Sequence, residues 1–256
     1  MYDSSLRAQK SLILCEDGTH TLYSKEFDEP YHSTKDGALH ETLEKYVKPT
    51  LHHQRAKDSL VILDICFGIG YDTLATIYYI KEQGLDTKLH IISPEFDEEL
   101  VRSIGSFEYP SEFDSLRPII ESLSRDLHYS DEQFRIEILI GDARERILDI
   151  KQKVDIVYQD AFSPAHNPLL WTREWFGDIR SICNDDAILA TYSTAAAIRL
   201  GLYENGFEIY IHRAKLMRYS TIASLTPIEG EEFVDMELKK IRNTEARSMR
   251  DGDYVE

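Results

Sequence analysis

Apolar runs that alternate with helical or polar stretches constrain the fold of this 256-residue chain more than any other feature. Five runs lie between residues 60 and 192: LVILDI, KLHIIS, RIEILI, VDIVYQ and AILATY. Continuous apolar strands are typical of parallel sheets that are covered on both faces, and parallel strands need crossover helices between them. The pattern therefore predicts an α/β fold with a mostly parallel sheet and helices on both faces.

Two further runs, FEIYIHR and LMRYSTIASL, predict a closing antiparallel pair and bring the expected sheet to seven strands. Upstream, SLILCEDGTHTLYSKEF predicts a β-hairpin that turns at the Glu-Asp-Gly segment. The stretch DGALHETLEKYVKPTL then predicts a helix that ends at Pro49.

Three units follow from these elements. We expect a β-hairpin and helix cap over residues 1–57, a Rossmann-like domain over 58–227, and an acidic tail over 228–256 that is either loose or a surface helix. Residues 97–132 read as a helical insertion after the second parallel strand.

Composition restricts the functional class. The net charge of −17 argues against general nucleic-acid binding, although it leaves room for a local basic patch. No apolar run is long enough to span a bilayer, and the N-terminus lacks a signal core. The three cysteines and the histidines show no ligand spacing. We expect a cytoplasmic protein with no metal site and no membrane partner.

The segment LDICFGIGYDTLA joins the end of an apolar strand to the start of a helix. Gly68 and Gly70 would let a ligand approach the backbone closely. Thr73 occupies the place of the third glycine of a dinucleotide fingerprint, and no P-loop lysine follows. These two departures weaken NAD and ATP as ligands, and a tight structural turn is the alternative.

Acidic residues follow three successive strands. Glu95 is placed to accept hydrogen bonds from a ribose diol, Asp142 to accept from an adenine amino group, and Asp160 lies after the next strand. Each alone could instead cap a helix or lie in a solvated loop. Together they predict a nucleoside pocket that does not require phosphate, which S-adenosylmethionine fits.

Several motifs resemble the MnmC-type tRNA (5-methylaminomethyl-2-thiouridine) methyltransferases, a class I S-adenosylmethionine-dependent family. The first motif, LDICFGIGYDTL, is generic, and Cys66 replaces a glycine that the family tends to carry there. The stretch YQDAFSPAHNPLLWTREWF is far more specific. The family's other segments resemble YHSTKDGALHETLEKYV, ATYSTAAAIRLGLYENGF and KLMRYST, in the same order along the chain.

This resemblance implies methyl transfer from S-adenosylmethionine to the aminomethyl group of a wobble uridine in tRNA. It implies catalytic roles for Asp160, which would hold the amine, and for Glu41, which would reach the methionine amino group or the substrate amine. The predicted cofactor-binding residues are Tyr31, Ser33, Asp64, Phe67, Gly68, Gly70, Glu95, Asp142, Ala143 and Asp160. Long members of the family carry a flavin-dependent oxidase domain. We expect this chain to be the methyltransferase half alone, without FAD.

Substrate contacts are predicted in two places. Phe162 and Pro164 would form a wall beside the target base, because flipped bases commonly stack on aromatic rings. Four late basic residues would contact tRNA phosphates or else be ordinary surface charges, namely Arg199, Arg213, Lys215 and Arg218. Trp171 and Trp175, four residues apart, are expected in the core.

Two other functions stay open at this point. An aminopropyltransferase of the spermidine synthase type shares the fold and an acidic pocket, and net acidity would suit a polyamine substrate. The chain could also be a non-catalytic subunit that binds S-adenosylmethionine.

Overall fold

The computed structural model describes residues 9–214 and 217–254, which form two β-sheets, the larger one flanked by helices. The strands are β1 (Lys10–Leu14), β2 (His20–Ser24), β3 (Glu29–Pro30), β4 (Ser59–Ile65), β5 (Lys88–Glu95), β6 (His128–Ser130), β7 (Phe134–Ile140), β8 (Val154–Gln159), β9 (Cys183–Thr191), β10 (Glu208–His212), β11 (Ser220–Ser224) and β12 (Glu232–Phe233).

The helices are α1 (Ala38–Thr42), α2 (Lys48–His53), α3 (Tyr71–Glu82), α4 (Glu98–Ser103), α5 (Arg117–Asp126), α6 (Ala143–Arg146), α7 (Arg173–Ile182), α8 (Ala196–Glu204) and α9 (Met236–Arg242). Short 3₁₀ segments cover Ile104–Ser106, Ser111–Leu116, Ile147–Asp149, Pro168–Trp171 and Asp251–Asp253, and Leu43–Val47 is π-helical. The insertion at 97–132 is mostly helical, as predicted, and ends in the short strand β6.

The large sheet has the strand order β12-β10-β11-β9-β8-β4-β5-β7-β6. Strands β9, β8, β4, β5 and β7 run parallel to one another, and β10 and β11 add the closing antiparallel pair. The predicted mostly parallel seven-stranded sheet is therefore confirmed. Two short strands, β6 and β12, extend its edges among the described residues.

Apolar residues of the parallel strands fill a core on each face of the sheet. Ile62 and Ile91 belong to one buried cluster with α3, and Leu63 belongs to the other with Trp171 and Trp175. Both tryptophans are fully buried, which confirms their prediction as core residues. The parallel strands thus read as continuous apolar runs because both of their faces are covered.

The predicted N-terminal hairpin is present and gains a third short strand in the order β1-β2-β3. It packs across the carboxyl ends of the parallel strands. Tyr71 at the start of α3 donates to the His20 carbonyl at 3.0 Å, and the Ser163 amide donates to the Glu29 carboxylate at 3.0 Å. The hairpin therefore covers the sheet edge where ligands of open α/β folds bind.

The helix predicted to end at Pro49 instead continues to His53, so that prediction was wrong. Proline has no N–H and its ring clashes with the preceding turn of a regular α-helix. The chain accommodates Pro49 by widening the preceding turn into the π-helical segment Leu43–Val47, after which Pro49 lies in the first turn of α2. The Glu44 carbonyl of that wide turn accepts a hydrogen bond from Nε2 of His212 at 3.0 Å.

The described part of the segment 228–256 packs against the domain. Helix α9 supplies a surface helix, and Asp251 accepts hydrogen bonds from the Arg144 guanidinium at 2.6 and 2.7 Å and from Thr172 at 2.6 Å. The three-unit division of the chain stays a prediction. Among the described residues, no helix is both long and apolar enough to cross a membrane.

Candidate active site

A cavity of about 570 Å³ opens at the carboxyl ends of β4, β5, β7 and β8, beneath the N-terminal hairpin. Its volume lies within the range of about 300–1,000 Å³ that is typical of small-molecule sites. Ten of the predicted site residues line it: Tyr31, Ser33, Glu41, Phe67, Gly68, Glu95, Asp142, Ala143, Asp160 and Phe162.

The glycine loop at the end of β4 forms one wall. Gly68 and Gly70 adopt positive φ angles of 56° and 79°. A Cβ atom at Gly70 would lie 2.7 Å from the Phe67 ring, and one at Gly68 would lie 3.2 Å from the Tyr31 ring. Glycine is therefore required for both backbone conformation and space at Gly70, although Gly70 itself does not line the cavity.

Cys66 also adopts a left-handed conformation, with φ of 67°, at the position where the resemblance leads us to expect glycine. Cys66 lines the cavity. Burial and the surrounding carboxylates raise the pKa of the Cys66 thiol well above its ordinary value. The group is therefore a neutral thiol and a poor nucleophile at neutral pH.

Glu95 ends β5 and is almost fully buried at the cavity wall. One carboxylate oxygen accepts from the Gly68 amide and the other from the Asp97 amide, both at 2.8 Å. Burial raises the pKa of Glu95, and the two amide hydrogen bonds oppose that shift. The carboxylate is thus oriented against the glycine loop, where a diol can reach its remaining lone pairs.

Asp142 follows β7 and combines two of the roles considered from the sequence. Its carboxylate accepts from the Arg144 amide at 2.8 Å and caps the short helix α6. The side chain is also exposed and lines the cavity. Capping fixes the direction of the carboxylate, so it can still accept a hydrogen bond from a ligand.

Asp160 follows β8 and lies at the other end of the lining from Asp142. Its Oδ1 atom accepts from the Tyr46 hydroxyl at 2.5 Å, and that hydroxyl in turn accepts from the Tyr192 amide at 3.2 Å. Burial and the nearby Glu41 carboxylate raise the pKa of Asp160 well above its ordinary value, and the hydrogen bond from Tyr46 opposes this. Asp160 is therefore a stronger base than an exposed aspartate.

Glu41 projects from α1 toward the same end of the cavity. Its two oxygens accept from the Ser33 amide at 2.7 Å and from the Lys45 ammonium at 2.6 Å. Lys45 is almost fully buried and also pairs with Asp36 at 3.4 Å. The Lys45 cation is therefore shared between two protein carboxylates.

Aromatic rings close the cavity beside Asp160. Phe162 stacks on Phe27 of the hairpin, with centroids 4.4 Å apart and an interplanar angle of 16°, and meets the edge of Tyr31 at 4.9 Å. Trp171 donates to the Phe162 carbonyl at 2.7 Å and so fixes the backbone of this wall. Pro164 does not line the cavity.

Asp64 lies behind the cavity wall and is only 1% exposed. Its carboxylate accepts from the Thr73 hydroxyl at 2.7 Å, and burial raises its pKa to about 7. Asp64 thus connects the end of β4 to the first turn of α3, and it does not contact the cavity directly.

Three lining or supporting residues were missed from the sequence, namely Tyr46, Asp72 and Phe27. Asp72 lies in the first turn of α3, eight residues after Asp64, where a carboxylate benefits from the helix dipole. Its place two residues after Gly70 was a usable signal. The contact of Tyr46 with Asp160 spans 114 positions of the sequence and carried no local signal.

Arg199, predicted to contact phosphate, is turned into the domain. Its Nε atom donates to the Thr221 hydroxyl at 2.9 Å, and burial lowers the pKa of the guanidinium. Arg199 is half-buried and does not line the cavity.

The other predicted phosphate-binding residues lie away from the cavity lining or outside the described residues. Arg213 pairs with Glu232 at 2.5 Å, and its guanidinium carbon stacks 4.1 Å from the Tyr219 ring centroid. Arg218 is exposed, and Lys215 lies outside the described residues. Their contact with a polynucleotide stays a prediction.

Comparison with known proteins places this chain among methyltransferases. A family profile described as S-adenosyl-L-methionine-dependent methyltransferase matches residues 115–223. An uncharacterised protein of Methanocaldococcus jannaschii is 31% identical over 204 residues, covering 80% of this chain and 56% of the relative. The tRNA 5-methylaminomethyl-2-thiouridine biosynthesis bifunctional protein MnmC of an Azoarcus species is 29% identical over 210 residues, covering 78% of this chain and 33% of the relative.

This chain thus spans about half or a third of the length of these curated relatives. The crystal structure of MnmC2 from Aquifex aeolicus matches with a TM-score of 0.79 and 31% identity, covering 96% of this chain and 80% of that one. The chain belongs to the MnmC-type family of S-adenosylmethionine-dependent methyltransferases.

Proposed function

We propose that this chain methylates the amino nitrogen of an aminomethyl group on a tRNA wobble uridine, giving 5-methylaminomethyl(-2-thio)uridine, with S-adenosylmethionine as methyl donor. The observation that carries the proposal is the half-buried Asp160 carboxylate, held by Tyr46 at the cavity end beside the Phe162 ring. A base with an amine substituent needs both an aromatic surface and a proton acceptor.

The cavity suits the proposed cofactor. The Glu95 carboxylate lies against the glycine loop, where it would hold a ribose diol, and Asp142, which also lines the cavity, would accept from the adenine amino group. The small loop residue Gly68 leaves the space that a Cβ atom would fill beside Tyr31. Arg144, the arginine that lines the cavity, is engaged with Asp251, so the lining favours a nucleoside without phosphate.

The chemistry assigned to Asp160 follows from its environment. When bound, S-adenosylmethionine supplies a methyl group on a positively charged sulfur. An alkyl amine is mostly protonated at neutral pH, and it must lose a proton before its lone pair can form the new bond. The half-buried Asp160 carboxylate, with its raised pKa, accepts that proton more readily than an exposed aspartate, and it also orients the nitrogen.

The acceptor base would lie against Phe162. The ring is half-buried, is supported by Phe27 and Trp171, and forms the wall next to Asp160. Stacking of a flipped base on such a ring would place its C5 substituent near the carboxylate. We propose that Arg213 and Arg218 contribute phosphate contacts outside the cavity.

Methyl transfer to tRNA tests the proposal. The protein is incubated with S-adenosylmethionine and with tRNA from a strain that lacks this modification, and the digested nucleosides are weighed by mass spectrometry. We expect a gain of one methyl group on the aminomethyl wobble uridine. Asp160→Asn should retain cofactor binding, measured by calorimetry, while turnover falls about 10²- to 10⁴-fold.

Companion assays with decarboxylated S-adenosylmethionine and putrescine, and a direct measurement of S-adenosylmethionine binding, separate the alternatives. Transfer of an aminopropyl group from decarboxylated S-adenosylmethionine to putrescine, without methylation of tRNA, would identify an aminopropyltransferase. Failure to bind S-adenosylmethionine at all would favour a non-catalytic subunit. Equal loss of cofactor binding and turnover in Asp160→Asn would make Asp160 a structural or cofactor-binding residue.

A further inference from the structure

Asp72 is a buried carboxylate of the cavity wall that the proposed reaction does not yet use. It lies in the first turn of α3, lines the cavity and is 6% exposed. Its Oδ1 atom is buried and has no hydrogen-bond partner among the described residues. A buried polar atom without a partner is costly, so its presence needs an explanation such as a bound donor.

The Thr42 hydroxyl is a nearby protein donor. It is buried and makes no hydrogen bond of regular geometry among the described residues. Burial and the Asp160 and Asp64 carboxylates raise the pKa of Asp72 well above its ordinary value, and the Thr42 hydroxyl opposes that shift. A donor with several N–H bonds, placed in this part of the cavity, could bond to Asp72 directly.

The charges around Asp72 indicate which donor would bind. The acidic groups that raise the pKa of Asp72 most are Asp160 and Asp64, followed by Glu41, whereas Glu95 and Asp142 lie with the glycine loop and α6. Within residues 9–214 and 217–254, no basic side chain forms an ion pair with Asp72 or Asp160, since Lys45 is shared by Glu41 and Asp36. Carboxyl groups therefore outnumber cations at this end of the cavity, where the Lys45 ammonium also lowers the pKa of Asp160.

We infer that Asp72 and Asp160 together form a two-carboxylate receptor for the alkylammonium group of the acceptor substrate; this inference rests on the proposed function. The ammonium gives one proton to the carboxylate pair and becomes a neutral amine. The nitrogen lone pair then forms the new C–N bond while the methyl C–S bond breaks, with its electron pair remaining on sulfur. The product is a secondary ammonium, and the proton held by the carboxylates passes to solvent.

The methionine end of the cofactor is the other source of an ammonium group. That end is a zwitterion, and its own carboxylate would face the acidic side chains of Asp72, Asp160 and Glu41. The substrate amine carries only positive charge at this position. The charge distribution thus favours the substrate over the cofactor as the partner of Asp72.

The test compares Asp72→Asn with wild type, using two anticodon stem-loops that differ at one atom. One carries 5-aminomethyluridine at the wobble position, and the other carries 5-hydroxymethyluridine, which is neutral. Binding of each RNA is measured at pH 7 in the presence of S-adenosylhomocysteine, and binding of S-adenosylmethionine is measured separately by calorimetry. Asp178→Asn is the matched control, because it removes another helix carboxylate whose pKa is raised by burial but which does not line the cavity.

We expect wild type and Asp178→Asn to bind the aminomethyl RNA about tenfold or more tighter than the hydroxymethyl RNA. Asp72→Asn should lose most of this preference while its affinity for S-adenosylmethionine stays within about twofold. If Asp72→Asn does not fold, Asp72→Ser replaces it, since the smaller side chain leaves room for a water molecule.

Three results would overturn the inference. Unchanged discrimination in Asp72→Asn, with a wild-type protein that methylates the aminomethyl RNA, would refute the role of Asp72 and leave the proposed function intact. Lost affinity for S-adenosylmethionine with retained discrimination would assign Asp72 to the cofactor. A wild-type protein that binds S-adenosylmethionine but methylates neither RNA would refute the proposed function together with this assignment.

Discussion

Replacing Tyr46 by phenylalanine removes one hydroxyl group and tests how the structure controls Asp160. The Tyr46 hydroxyl donates to Oδ1 of Asp160 at 2.5 Å from a fully buried ring. Hydrogen bonds to charged groups contribute about 1.5–3 kcal/mol, and this bond stabilises the carboxylate form. Without it, the pKa of Asp160 rises further above its ordinary value, because the hydrogen bond now opposes the effect of burial.

The consequence is a shift of the acid limb of the pH profile of kcat/KM toward higher pH. On the acidic side of the profile, loss of a hydrogen bond worth about 1.5–3 kcal/mol should lower the rate roughly 10- to 100-fold, since about 1.4 kcal/mol corresponds to a factor of ten. At high pH the Asp160 carboxylate is regained and the rate of Tyr46→Phe should approach that of wild type. The assay is single-turnover methyl transfer to aminomethyl tRNA with saturating cofactor, measured at a series of pH values.

Tyr158→Phe is the matched control for this experiment. Tyr158 is also a fully buried tyrosine, its ring packs against Tyr46 at 5.9 Å, and its hydroxyl meets the Thr76 hydroxyl at 3.2 Å rather than Asp160. Its removal should affect stability without moving the pH profile. A Tyr46→Phe profile that coincides with wild type, or a uniform loss at every pH, would refute the reasoning.

Two further predictions concern stability. Cys66→Gly should raise the free energy of unfolding by about 0.5–1 kcal/mol in urea titrations, because a left-handed φ is strained for cysteine and free for glycine, and a decrease would refute this. His212 donates from both ring nitrogens, to Glu231 at 2.7 Å and to the Glu44 carbonyl at 3.0 Å. Burial lowers the pKa of His212, but these two acceptors together outweigh burial and raise it above its ordinary value. The resulting stabilisation is complete below about pH 6.5, the ordinary pKa of histidine, and is lost as pH rises through the higher folded-state pKa. His212→Gln should therefore remove the fall in stability that wild type shows above about pH 6.5.

The sequence predicted the part of the site that depends on strand ends. Glu95, Asp142 and Asp160 each follow a parallel strand, and the carboxyl ends of parallel strands meet at one edge of the sheet. Their convergence on one cavity therefore required only the correct assignment of strands. Asp64 precedes the last residue of its strand, so its side chain points to α3 instead of the cavity.

Contacts made by the N-terminal unit could not be predicted in this way. The side chains of Tyr46 and Phe27 reach the cavity wall across more than 100 residues of sequence. Their positions depend on how the hairpin and α1 dock against the sheet, and neither hydrophobic periodicity nor strand order determines that docking. Asp72 was missed for another reason, since a carboxylate in the first turn of a helix is ordinarily explained by the helix dipole alone.

Pro49 accounts both for the helix end that was predicted wrongly and for the contact between Tyr46 and Asp160 that was missed. A regular α-helix through Pro49 would lose a backbone hydrogen bond and meet a steric clash, so a wide π-helical turn forms immediately before it. As a result, the consecutive residues Lys45, Tyr46 and Val47 are all buried, which exceeds what one face of a regular helix would present. The rule that proline ends a helix considers only the free-energy cost of continuing a regular α-helix through the proline. Here the wider turn directs Tyr46 to Asp160, so the irregular backbone that the rule treats as a boundary is what brings the phenol to the carboxylate.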